Sequence, residues 1–217
     1  MKRIAVYISG KSNRLHKYLR SKDESNHGIA YVFSDEPIDG DLENELSIRG
    51  IDYTAIDYKN IGITKEEKRS AFSNCLLSEL NERGVDYCLS FGEHILVGDI
   101  LLEYKNRIIN FHPAILPMYK GTMAIDQAVE DDKAMLVGNT AHFVDEGVDT
   151  GLIIMQSVIP IKAFYDADND YNVILDLQID MMDKIIFLLN NDRIRIVDNR
   201  VVIIGADYSV SHIYPKL

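Results

Sequence analysis

Apolar positions along the chain keep changing period. Short β-branched and aromatic runs, "RIAVYIS", "GIAYVFS", "IDYTAID", "VDYCLSF" and "NRIINFHP", take turns with longer segments in which apolar residues return every three or four positions. Those longer segments are "NRLHKYLRSK", "DLENELSIRG", "TKEEKRSAFSNCLLSELNERG" and "VGDILLEY". The first kind predicts buried strands and the second amphipathic helices. The third helix also announces its ends. Thr64 followed by Glu67 has the capping-box spacing, and Gly84 supplies a stop.

Strand and helix in regular alternation predict a parallel sheet with helices on both faces. Past Pro117 the pattern changes. "TMAIDQAVEDD" reads as a helix, "MLVGNTAHFVDEG" and "GLIIMQSVIPI" as paired strands, and "NDYNVILDLQIDMMDKIIFLLNN" as one long amphipathic helix. "RIRIVDNRVVIIG" reads as a hairpin turning at Asp198 and Asn199. No repeat, low-complexity tract or flexible linker interrupts the chain. The expectation is a single α/β domain over residues 1–217, Rossmann-like and mostly parallel. Residues 1–117 form its Rossmann-like half, and 118–217 complete it with strands, long helix and terminal hairpin.

Composition narrows the chemistry. The 217 residues are 47% apolar and 26% charged, with a formal net charge of −11. Phosphate neutralisation needs concentrated Lys and Arg, so this balance points away from a nucleic-acid partner and toward a small-molecule ligand. No apolar run reaches the length of a membrane span and no signal peptide is evident, which predicts a cytoplasmic protein with no membrane partner. Cys75 and Cys88 sit inside apolar segments and read as core thiols in a reducing compartment. No zinc spacing exists, and no metal site is predicted.

The stretch "NFHPAILP" stands out. Asn110 and His112 alternate across Phe111, so in extended backbone they share one side. Pro113 and Pro117 then forbid a regular continuation of the strand. Alone, this could be a polar strand terminus beside a turn. Ligands of open α/β sheets, however, bind at the carboxyl ends of the strands, which is where Asn110 and His112 fall. A second polar stretch, "HFVDEGVDTG", places Asp149 between Gly147 and Gly151 in a loop joining two strands. It could be a tight acidic turn. Two glycines so close would also let the backbone turn sharply and another molecule approach. Together, Asn110, His112 and Asp149 supply what acyl transfer to an amine needs. An amide could donate to the developing oxyanion, an imidazole could move a proton to the leaving nitrogen, and a carboxylate could accept or relay the proton of the attacking amine.

"NFHPAILP" followed some thirty residues on by "HFVDEGVDTG" resembles the folate-dependent formyltransferases, the family of glycinamide ribonucleotide transformylase, from "IAVYISG" to "IIMQSVIPI". The resemblance implies the formyltransferase fold and Asn110, His112 and Asp149 as the catalytic set. It implies 10-formyltetrahydrofolate as the donor, held by His94, Ile95 and Leu96 of "FGEHIL" and by the loop of Val144, Asp145, Glu146 and Gly147. His142 also matches a family histidine. Set among apolar residues in "TAHFV", it takes a structural or supporting part.

The acceptor side departs from that pattern. Where the ribonucleotide enzyme binds phosphate on a Gly-Ser-Asn turn, this chain has "SGKSNRL". Gly10, Lys11, Ser12 and Asn13 become the acceptor-binding candidates, with Arg14 in the place of the family's Asn. The family's Glu-His pair on the long helix falls near Met181 and Met182. The expected reaction is therefore N-formylation of a primary amine on a small molecule, a nucleotide-linked amino sugar first and glycinamide ribonucleotide second. Formyltetrahydrofolate hydrolysis and a folate-binding protein without turnover are more distant alternatives. A tRNA-formylating relative would add a C-terminal barrel and the hydrolase an N-terminal regulatory domain, neither of which is read here. The exposed hairpin edge at "VVIIG" offers a place for a second copy to pair, as a homodimer.

Overall fold

The computed structural model describes residues 1–10, 12–23, 28–167 and 170–209. Its strands are β1 (Ile4–Ile8), β2 (Tyr31–Ser34), β3 (Asp52–Ala55), β4 (Tyr87–Phe91), β5 (Ile108–His112), β6 (Leu136–Phe143), β7 (Ile153–Pro160), β8 (Ile194–Val197) and β9 (Arg200–Ile203). The helices are α1 (Asn13–Arg20), α2 (Gly40–Ile48), α3 (Lys65–Glu82), α4 (Asp99–Glu103), α5 (Ala124–Glu130), α6 (Ile161–Asp166) and α7 (Asn172–Asn190). Strands β1 to β7 form a seven-stranded sheet in the order β3-β2-β1-β4-β5-β6-β7. The first five run parallel, and β6 and β7 join antiparallel.

The mostly parallel α/β reading holds, and side-chain alternation explains it. In β1, Ile4, Val6 and Ile8 pack into one core layer with α1, α2 and α7. Ala5 and Tyr7 enter the other layer with α3 and α4. Every β1 residue is buried, as expected of a central strand covered on both sides. Cys88 lies wholly inside the α3–α4 layer, where burial pushes its thiol up to about 12. Helix α3 has the predicted capping box: Thr64 Oγ1 accepts from Glu67 N–H and the Glu67 carboxylate accepts from Thr64 N–H. The β8–β9 hairpin turns at Asp198 and Asn199, both with positive φ. One element departs from expectation. The strand predicted through Ile161 stops at Pro160, and Ile161–Asp166 form a short helix.

This strand order leaves a crevice between β1 and β4. The chain runs outward through β2 and β3, then returns to the far side of β1. The loops after β1 and β4 therefore diverge at their carboxyl ends, where such sheets bind ligands.

Candidate active site

Asn110 and His112 share a face of β5, between Ile109 and Phe111, which point into the α7-side core. Antiparallel pairing with β6 sets Asn110 opposite His142. Asn110 Nδ2 lies 3.2 Å from His142 Nε2, while His142 Nδ1 lies 2.9 Å from the Phe143 carbonyl. A carbonyl only accepts, so His142 donates from Nδ1, and its Nε2 faces both the Asn110 amide and the Asp149 carboxylate. Asn110 keeps its second amide hydrogen free of any partner among the described residues.

His112 is buried with both ring nitrogens facing acceptors. Nε2 is 2.8 Å from the Tyr119 carbonyl, and Nδ1 is 3.3 Å from Asp149 Oδ2. The same Oδ2 accepts from Gly121 N–H at 2.8 Å, and Asp149 Oδ1 lies 3.5 Å from His142 Nε2. Burial alone would raise the Asp149 carboxyl. The hydrogen bond from His142, the Gly121 N–H and the charge of His112 outweigh it and hold the group below its ordinary 3.8. Asp149 is thus an ionised carboxylate between two imidazoles.

The prolines of "NFHPAILP" now have a setting. Thr140 Oγ1 donates to the Ala114 carbonyl and accepts from Leu116 N–H, and Gln156 Nε2 donates to the Leu116 carbonyl. The chain leaving His112 is bound to β6 and β7 by side chains, since Pro113 and Pro117 offer no N–H. The glycines around Asp149 act differently from expectation. A Cβ at Gly151 would meet the Phe143 carbonyl oxygen at 1.7 Å, and one at Gly147 would meet Thr150 Oγ1 at 2.0 Å. They allow close packing, while the left-handed residue is Asp149 itself, at φ 52.

Asn110, His112, His142 and Asp149 face a cleft of about 1040 Å³, which His94, Ile95, Leu96, Val144, Asp145 and Gly147 also line. Glu146, expected there too, is exposed and outside the lining. Asp145 spends its carboxylate on its own loop, accepting from Gly147 N–H and Thr150 Oγ1. His94 stacks on Tyr58 with centroids 3.4 Å apart. An adjoining pocket takes Ser12 and Asn13 but not Gly10, which makes the turn at φ 57; Lys11 lies outside the described residues. Met181 and Met182 are buried in the core, not turned toward that pocket. Asn172, Ile174, Leu175 and Gln178 are the α7 residues lining it.

Residues not singled out from sequence anchor the cleft from behind. Asp35, fully buried after β2, accepts from Tyr7 Oη at 2.7 Å and from Ser9 Oγ, and its Oδ2 lies 3.5 Å from His94 Nε2. Ser9 Oγ in turn accepts from Glu93 N–H at 2.8 Å. The sequence offers one hint of this, an acid directly after "YVFS" at a strand's carboxyl end.

A family model described as formyl transferase matches residues 2–186. The chain belongs to the formyl transferase family, enzymes whose formyl donor is 10-formyltetrahydrofolate. A phosphoribosylglycinamide formyltransferase from Bacillus subtilis (strain 168) is 32% identical over 164 residues, which are 74% of this chain and 80% of that protein. The trifunctional purine biosynthetic protein adenosine-3 of Homo sapiens is also 32% identical over 164 residues, but there the alignment covers only 15% of the relative. The chain thus spans a small part of such multifunctional proteins. Among solved structures, glycinamide ribonucleotide transformylase 1 from Symbiobacterium toebii is similar at a TM-score of 0.79 and 30% identity, over 94% of each chain. Among the described residues, no helix is long and apolar enough to cross a membrane.

Proposed function

We propose that this chain formylates the primary amine of glycinamide ribonucleotide, with Asn110, His112 and Asp149 as its catalytic residues and His142 as the group that positions them. The observation carrying the site assignment is the convergence of Asn110, His112, His142 and the ionised Asp149 on one wall of the cleft. The cleft suits the donor. Its lining offers Tyr58, Ile95, Leu96 and Val144 for a flat ring system and Lys65 and Arg69 for carboxylates. Bound there, 10-formyltetrahydrofolate supplies an activated formyl carbonyl.

The protein groups divide the remaining work. Asn110 donates its uncommitted amide hydrogen to the carbonyl oxygen as negative charge grows on it, needing no rearrangement. Asp149 accepts the proton shed by the attacking amine, directly or through water. His112 stabilises the carboxylate, and it can pass a proton to the leaving nitrogen only by giving up Tyr119 or Asp149 as a partner. His142 fixes both Asn110 and Asp149.

Glycinamide ribonucleotide is favoured as acceptor because relatives 30–32% identical over most of the chain carry that activity in their names. A nucleotide-linked amino sugar is the second reading, favoured by Ser12-Asn13-Arg14 where the ribonucleotide enzymes have Gly-Ser-Asn. The test is to incubate the protein with 10-formyltetrahydrofolate and each acceptor, and weigh the products. A one-formyl mass gain on the ribonucleotide alone supports the first reading. Gain on the sugar alone replaces it with the second.

A further inference from the structure

The segment between β5 and α5 holds residues 119, 121 and 123 in the left-handed region, at φ 53, 83 and 56. Two of the three have a visible reason. The Tyr119 carbonyl faces His112 Nε2 while the Tyr119 hydroxyl donates to Asp131, and Gly121 gives its N–H to Asp149. Met123 contributes its carbonyl, which accepts from Gln127 N–H in the first turn of α5, but it offers that helix no side-chain cap. An extended Ser or Asp would serve the helix better there. The Met123 side chain is 70% exposed, so core packing does not hold it. A bulky residue at positive φ is an outlier that costs free energy, and glycine adopts the same backbone without strain. Strain of this kind collects where function needs a side chain in a particular place. The place here is the lip of the cleft. Met123 lines it, as does the exposed Val148, and the Gly121–Asp149 hydrogen bond ties their two loops together.

We propose that Met123 covers the p-aminobenzoyl ring of the bound formyl donor and so sets the affinity for donors that carry this ring. The inference rests on the reading of the cleft as the donor's site. The formyl group sits on a nitrogen bonded directly to the benzoyl ring. A formyl carbonyl placed at Asn110 and Asp149 therefore brings that ring beside the segment that touches Asp149. The pterin lies one methylene further away and carries N–H and C=O groups that need polar partners. A thioether donates nothing and accepts only weakly. The face of the benzoyl ring needs no such partner. It gains from apolar, polarizable atoms, which a flexible methionine supplies, and from sulfur packed against an aromatic ring. Apolar atoms left in water at the lip are covered when the ring arrives, and that burial offsets the backbone strain at φ 56.

The test sets stability against affinity, which a merely structural role would move together. Met123→Gly relieves the positive φ and gives up little buried surface, so its melting temperature should equal or exceed that of the wild type. Its Kd for tetrahydrofolate by calorimetry, and its KM for the formyl donor, should rise roughly 3- to 10-fold. The KM for the amine acceptor should hold at its wild-type value. Met123→Ala, which keeps the backbone constrained and loses only the side chain, should show the same rise, and Met123→Leu should recover most of the affinity. Tetrahydropterin bearing only a 6-methyl group lacks the benzoyl ring and should bind wild type and Met123→Ala equally. Equal tetrahydrofolate binding by wild type and Met123→Ala would overturn the proposal, even if Met123→Gly bound more weakly, because backbone order would then be the cause. An equal loss for the methylated tetrahydropterin would also overturn it, by putting Met123 on the pterin. If the wild type binds no tetrahydrofolate, the reading of the cleft falls and takes this proposal with it.

Discussion

Two aspartates in this protein each face a histidine across about 3.5 Å, Asp149 with His142 and Asp35 with His94. Their settings are opposite. Asp149 opens onto the cleft, has two imidazoles and a backbone N–H as partners, and shares its wall with an amide hydrogen that has no partner among the described residues. Asp35 is sealed behind the cleft. Tyr7, Ser9 and His94 all converge on its Oδ2, and Oδ1 has no partner among the described residues. A carboxylate–histidine pair is therefore no signature of chemistry by itself. Access to the cleft separates the two. The buried pair has a different use, since Ser9 and Tyr7 both accept N–H groups of the 93–94 segment and so tie the donor-side loop to β1 and β2.

The strongest way to break this comparison is Asp149→Asn. The amide keeps an oxygen for Gly121 N–H, and asparagine tolerates the left-handed backbone better than most residues. What disappears is the proton acceptor and the negative charge between His112 and His142. The expected result is a fall in kcat of roughly 10²- to 10⁴-fold with KM and melting temperature little changed. A variant retaining more than a tenth of wild-type kcat would remove Asp149 from the chemistry.

Asp35→Ala should reverse the pattern. It strands the Tyr7 and Ser9 hydroxyls that meet at one buried oxygen, at about 1–3 kcal/mol for each left unsatisfied. Deleting the partnerless Oδ1 returns part of that, and Ser9 and Tyr7 retain their bonds to the loop. A net loss of about 2–4 kcal/mol of stability is expected by urea denaturation, with a raised KM for the folate donor and a kcat within an order of magnitude of wild type. If kcat collapsed as it does for Asp149→Asn while the protein stayed folded, the division between working and anchoring carboxylate would be wrong.

Much of this contrast is legible in the amino-acid sequence alone, and the missing part has physical reasons. The alternating periods suffice for the parallel half of the sheet, because each strand is flanked by helices on both faces. Helix α6 escapes notice because it follows Pro160 directly, with no side-chain cap to mark its start. Asn110 and His112 can be placed on one face from alternation alone. That His142 touches both Asn110 and Asp149 depends on the β5–β6 register, which lies in the pairing and not in either segment. Asp35 needs the strand order, which brings residues 9, 35 and 94 together from three loops. Arg14 is visible in the sequence only as a mismatch. That its guanidinium lies over Phe91 needs the fold.

The finest test uses acid. Asp149 has a folded-state pKa below the 3.8 of a free carboxyl, because hydrogen bonds from His142 and Gly121 and the nearby histidine charge outweigh the cost of its burial. A depressed carboxylate adds stability that is whole above the unfolded value and fades as pH falls through the folded one. The stability difference between wild type and Asp149→Asn, from urea denaturation at successive pH values, should stay level down to about pH 5. It should shrink on passing 3.8 and vanish below the folded value. Because Asp149 is partly open to solvent, this is the smallest of the three effects, and added salt should reduce it further. A difference that grew as the pH dropped would mean that burial dominates at Asp149. The carboxyl would then favour its neutral form in the cleft, and an ionised proton acceptor could not be the basis of the contrast with Asp35.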